Sequence, residues 1–235
     1  MRSLGLVVAA ALIACAAPVE DETPPDTEAD TIPPPPYSEA TMPSDSPPSA
    51  GMPGEPDNVT RPATKRGVRM VEGTADTVQL ELVRAPADFP LAFSTYVPEG
   101  IDVESATSDA GHSLKLVAAF DGRRNERAYL QFFFYPEGTT RAVARSNIEV
   151  FVSGLNPEVD RTESVTPYPW AIEQSNFTYP HEQQVFVGGI ALAQRGNAMF
   201  HFLRHYPGDY GDGMASVISI VLEEWRWADG TPLTP

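Results

Sequence analysis

"YLQFFFY", Tyr129–Tyr135, is largely apolar on both of its alternating sets of residues. Successive side chains of a strand point to opposite faces, so a strand of this composition is central in its sheet and covered on two sides. Working outward, "DGRRNER" (Asp121–Arg127) links it to an earlier strand at Leu114–Phe120, and "RGN" (Arg195–Asn197) joins a later pair, Gln184–Ala193 and Ala198–Tyr206. Alternation and β-branched or aromatic content mark further strands at Val78–Val83, Leu91–Val97, Ile101–Ser105, Ala128–Tyr135 and Ala171–Tyr179. Two stretches read as helices. "TTRAVARSNIEVFVSG" starts at a threonine cap and ends at Gly154. "DGMASVISIVLEEW" starts with Asp212 as its N-cap and carries Met214, Val217, Ile218, Val221, Leu222 and Trp225 at i, i+3, i+4, i+7, i+8 and i+11. One helix between strands and one after them predict an α+β fold, an antiparallel sheet packed with helices.

The strings "FSTYVPEG" (Phe93–Gly100), "FFFYPEGTTRAVA" and "IALAQRGNAMFHFLRHYPGDY", followed by a closing helix and "WRW", resemble the Mog1/PsbP-like fold over most of residues 77–228. The resemblance implies a sandwich of sheet and helices. Members of that group are mostly non-enzymatic docking or assembly proteins, so it also implies an interaction role.

Composition divides the chain. Residues 16–66 hold 13 of the 24 prolines and ten acidic against three basic residues, with Tyr37 the only aromatic. So few large apolar groups cannot offset the entropy of ordering, and residues 15–66 are expected to be a disordered, Pro-rich acidic linker. Stretched as polyproline II it would reach roughly 160 Å. Residues 67–235 hold the other 21 aromatics and read as a single α+β domain with room for a real core. Its charge is −10, from 22 acids and 12 bases, within a chain of net charge −16. That balance argues against nucleic acid and against docking flat on an anionic membrane.

The chain's only cysteine ends the run "LVVAAALIAC" (Leu6–Cys15), preceded by Arg2 and eleven apolar residues from Leu4 to Ala14. That run is too short to cross a hydrocarbon core as a helix, which needs about 20 residues. Leu12-Ile13-Ala14-Cys15 resembles the lipobox of bacterial lipoproteins. The resemblance implies that residues 1–14 are a signal peptide and that the Cys15 thiol carries a diacylglyceryl group. Two or three acyl chains anchor stably where one does not. Ala16 and Ala17 stand where a retention signal would place Asp, which by the same resemblance implies the outer membrane, facing the periplasm, in an organism that has one. A plain secretory signal with an incidental cysteine is the competing reading.

Chemistry is sparse. "HFLRH" (His201–His205) has the i, i+4 spacing of a zinc pair only on a helix, and here it lies in a predicted strand. At a rise of about 3.4 Å per residue, its imidazoles stand about 13–14 Å apart. In "GDYGDG" (Gly208–Gly213), Asp209 and Asp212 lack the spacing of a calcium loop, and a turn with a cap is the simpler reading. Glu223 and Glu224 adjoin on a helix end beside Arg226. No nucleophile elbow or phosphate loop is present. The candidate partner surface is Arg123, Arg124 and Arg127 on one loop, with Trp225 and Trp227 (and Trp170) as aromatic contacts, against plain hairpin and core roles for the same residues. The expectation is a lipid-anchored cell-envelope protein with a non-catalytic interaction or assembly domain. It has an unidentified envelope protein as partner, no cofactor and no metal. The alternatives are an envelope hydrolase with an unrecognised site and a small-ligand-binding lipoprotein.

Overall fold

The computed structural model describes residues 61–71, 73–163 and 168–233, all within the contact unit Gly51–Pro235. Cys15, the signal peptide and most of the stretch read as a linker lie outside the described residues. Among the described residues, eleven strands form two antiparallel sheets rather than one, accompanied by two helices.

The larger sheet has seven strands. They are β4 (Ile101–Ser108), β5 (Gly111–Ala118), β6 (Tyr129–Phe134), β7 (Asp160–Glu163), β8 (Glu173–His181), β9 (Gln184–Arg195) and β10 (Ala198–Pro207). Their order is β4-β5-β6-β10-β9-β8-β7. Strand β6 is central, as its composition requires. Leu130, Phe132 and Phe134 join one buried cluster, while Tyr129, Phe133 and Tyr135 belong to or pack against another. The smaller sheet has the order β1-β2-β3-β11, with β1 (Thr64–Val71), β2 (Thr74–Arg84), β3 (Phe93–Pro98) and β11 (Arg226–Trp227).

Helix α1 (Arg141–Leu155) is capped by Thr140, whose hydroxyl accepts from the Val143 N–H at 3.3 Å. Its buried residues Ala144, Ile148 and Val152 fall at i, i+4 and i+8 and share a cluster with Phe177, Ile190, Met199 and Leu203 of the large sheet. Helix α2 (Gly211–Glu223) contributes Met214, Val217, Ile218, Val221 and Leu222 to the cluster of Leu116, Phe132 and Phe202, which also holds Phe93 and Val97 of β3. Ile220 of the same helix joins Val78, Leu80 and Tyr96 instead. Strand β3 is therefore buried along its whole length, and the Thr95 hydroxyl donates to the Val221 carbonyl at 2.7 Å.

Four expectations are corrected. The folded part begins before residue 67: β1 starts at Thr64 inside the stretch read as linker, because its eight residues pair with β2 from Thr64↔Glu81 to Val71↔Thr74. Asp212 is not the cap of α2 but lies in its first turn, with Tyr210 at the cap position and no side chain bonding there. Phe120 leaves the strand and forms a 3-10 turn with Asp121 and Gly122. Helix α1 runs through Gly154 to Leu155.

Candidate functional site

The loop after β5 was the centre of the predicted partner surface, and its three arginines part company. Arg124 is consumed internally. Its guanidinium donates to Asp102 at 2.9 Å, to Glu126 at 2.5 Å and to Glu104. The Glu126 and Asp102 hydrogen bonds hold its pKa above the ordinary arginine value, and Arg124 in turn holds Glu126 below the usual carboxylate range. Asp102 and Glu104 alternate on β4, so both face the same side and reach one cation. Arg127 points its side chain to solvent, while its carbonyl accepts from His205 Nδ1 at 2.8 Å. Arg123 remains exposed and lines an opening of the surface.

The aromatic half of the predicted surface is overturned. Trp225 has no exposed area and stacks on Phe93 at 4.1 Å and against Phe132 at 4.2 Å. Trp227 is buried edge-on to Trp225, with the Arg195 guanidinium 5.1 Å from its ring. The sequence after α2 turns back to pair Trp227 with Phe93, which puts both indoles between the sheets. Trp170 is half-buried and stacked on Tyr168 at 5.0 Å.

Two residues absent from the predicted surface take their place. Phe120 and Tyr210 stack at 5.8 Å and, with Arg123, Asp209 and Gly213, line an opening of about 610 Å³. A second opening of about 810 Å³ shares Phe120 and Gly213 and continues to Gln79, Glu99 and Arg124. Phe120 lies against the first turn of α2 because Gly213 has no side chain: a Cβ there would stand 3.1 Å from its ring. The clue in the sequence was an aromatic beside each turn, but Phe120 reads as the end of a strand and Tyr210 as part of a turn. The second opening's ion pair, Arg69 to Asp76 at 3.1 Å, is internal, as are the bonds of Arg124. Arg123 lines the first opening and, among the described residues, has no carboxylate within salt-bridge distance.

Groups that resemble catalytic machinery are bonded in structural roles. Both histidines of "HFLRH" lie on β10, as expected. His205 donates from Nδ1 to the Arg127 carbonyl, which can only accept, so its Nε2 accepts from the Tyr179 hydroxyl at 2.5 Å. The Tyr135 hydroxyl donates to the Ala144 carbonyl at 3.2 Å and meets His201 Nδ1 at 2.8 Å. A single hydroxyl proton serves both contacts only if His201 carries its proton on Nδ1. Burial pushes His201 down to about 3 and His205 down to about 4. Thr107, His112 and Asp88 also converge, but with the wrong connectivity for a nucleophile relay. The Thr107 hydroxyl donates to Asp88 at 2.6 Å, and both groups approach Nδ1 of the ring, at 3.1 and 3.7 Å. The cluster pins the β4–β5 hairpin to the loop that holds Phe89, 5.3 Å from the imidazole. Glu224 binds Arg61 at 3.1 Å and Lys65 at 2.7 Å, and Arg226 donates to the carbonyls of Glu223 and Trp225.

No protein-family model matches this chain, and no curated protein matches it.

Proposed function

We propose that the chain is a lipid-anchored cell-envelope protein whose folded part is a non-catalytic interaction domain, and that the cleft around Phe120, Arg123 and Tyr210 is its contact surface. The carrying observation is the contrast in how polar groups are used. His201, His205 and Thr107–His112–Asp88 are engaged in bonds that brace the fold, whereas Arg123 faces solvent beside two stacked aromatics. Arginine and aromatics are enriched where proteins meet partners. The Mog1/PsbP-like reading is supported by the antiparallel order of the sheet and by the two helices joining different buried clusters. The anchor reading rests on Leu12–Cys15.

Two measurements test this. A photoreactive residue in place of Arg123 should yield a defined crosslinked protein in intact cells, and Tyr210→Ala should abolish that product without shifting the melting temperature. An unchanged product in Tyr210→Ala would remove the cleft from the proposal. Cys15→Ser should release the protein from the membrane and eliminate incorporation of labelled fatty acid; retention of both would end the anchor reading.

A further inference from the structure

Strand β1 (Thr64–Val71) ends the order of the four-stranded sheet, so one of its sides faces no strand. The Leu82 N–H donates to the Ala63 carbonyl at 2.8 Å, and the register runs on from Thr64↔Glu81 without a bulge. In an antiparallel ladder, hydrogen-bonded and non-hydrogen-bonded pairs alternate. Lys65, Gly67 and Arg69 therefore turn their N–H and C=O groups to β2, while Arg66, Val68 and Met70 turn theirs to the open side. An opening of about 480 Å³ adjoins the strand there, lined by Val68 and Met70 and by Asp212, Ala215, Ser219 and Glu223 of α2.

Sheet edges are normally guarded by shortness, charge or a bulge, because a row of unpaired backbone groups is a template for another strand. The edge strands β7 and β11 are four and two residues long, and β4 carries Asp102 and Glu104. Strand β1 has eight residues and leaves Val68 62% and Met70 54% exposed. Its charges have one sign: Lys65, Arg66 and Arg69, with no acid between Thr64 and Val71. Glu224 holds Lys65 at 2.7 Å, and Asp76 holds Arg69 at 3.1 Å. Arg66 is exposed and, among the described residues, has no carboxylate within salt-bridge distance; the carboxylates of Asp212 and Glu223 likewise have no cation.

We propose that β1 is a self-association edge, to which β1 of a second copy adds antiparallel about a two-fold axis at Val68. Residues with outward backbone groups can exchange bonds only with one another, which puts the axis on a residue rather than between two. An axis at Arg66 or Arg69 sets an arginine against itself, and one at Gly67 sets Lys65 against Arg69 of the other copy. Like charges directly opposite are destabilising. With the axis at Val68, Val68 faces Val68, Arg66 faces Met70 and Gly67 faces Arg69, so no like-charged pair arises. Each Arg66 then arrives beside Met70 of the other copy, at the opening that Asp212 and Glu223 line, where the charge of the strand complements that of the groove. The two four-stranded sheets join edge to edge in an isologous contact. The net charge of −16 opposes a second copy at long range, but that repulsion is screened beyond about 8 Å at physiological salt. Phe120, Arg123 and Tyr210 take no part, so this contact does not rest on the cleft.

Sedimentation equilibrium of the full chain in detergent should give a dimer. Val68→Pro removes an outward N–H that the β1–β2 ladder does not use, and edge strands tolerate proline, so it should return a monomer with an unchanged melt. Val68→Lys sets two cations against each other across the axis at an exposed position, and should weaken the dimer several-fold. The register is read separately. Val68→Cys, in a chain carrying Cys15→Ser, should form a disulfide-linked dimer with oxidised glutathione, since the paired Cα atoms would lie about 5.5 Å apart. Val103→Cys on β4 should not. A monomeric parent, or a dimer that survives both Val68→Pro and Val68→Lys, would overturn the proposal. Covalent dimers from Val103→Cys alone would move the contact to β4 instead. Assemblies that keep growing with concentration would replace the two-fold with a heterologous contact.

Discussion

His201 and His205 show how single side chains couple the fold to pH. Each has its ordinary value of 6.5 lowered, to about 3 and about 4, mainly by burial. Their unfolded forms bind protons first as the pH falls, so the stability tied to their neutral state is complete above about 6.5 and is lost on descending through about 4 and then about 3. Protonation of His205 also places a second N–H against the Tyr179 hydroxyl proton, which removes an acceptor in the core. Chemical denaturation from pH 7 down to pH 4 should therefore show a progressive loss of stability, and His205→Gln should flatten that slope even if it lowers the plateau. A slope unchanged by the substitution would assign acid sensitivity to the carboxylates instead.

At the level of elements, α2 is the clearest case of a helix that depends on its surroundings. Its β-branched run "VISIV" (Val217–Val221) has weak intrinsic helix propensity, yet Val217, Ile218, Ile220 and Val221 are all buried. Burial outweighs propensity here. Val221→Asp would leave an unpaired carboxylate among Phe93, Phe132 and Trp225, and should cost several kcal/mol, enough to unfold a marginal domain. Ser219→Asp, on the exposed face, should change stability by no more than about 0.5 kcal/mol. Urea melts of the two variants check the orientation of the helix. The periodicity of Met214 to Leu222 was legible because a helical stripe is a local pattern. The burial of Ile220 was not, since it requires a second sheet approaching from another direction. The short β7 and β11 carry no alternation long enough to read; they exist because β8 and β3 offer them an edge.

On the scale of the whole molecule, β1 changes where folding begins. Arg61 and Lys65 sit 4.5 and 4.4 Å from the Tyr96 ring centre, and both pair with Glu224 at the end of α2. Arg61 also donates to the Ser94 carbonyl at 3.1 Å. A chain starting at Gly67 loses both cations and three residues of β1, and should melt about 5 °C or more below one starting at Arg61. Equal thermal midpoints would show that this clamp contributes nothing. What the sequence determined by itself was everything carried by local periodicity and composition: the central strand at Tyr129–Tyr135, the two helices, the hairpin at Arg195–Asn197 and the strand character of "HFLRH". Tertiary structure alone decided the division into two sheets, the burial of Trp225 and Trp227, and the separate fates of Arg123, Arg124 and Arg127. Those outcomes depend on residues far apart in the chain meeting across β3, α2 and the large sheet, and no pattern within a window of neighbours encodes such meetings.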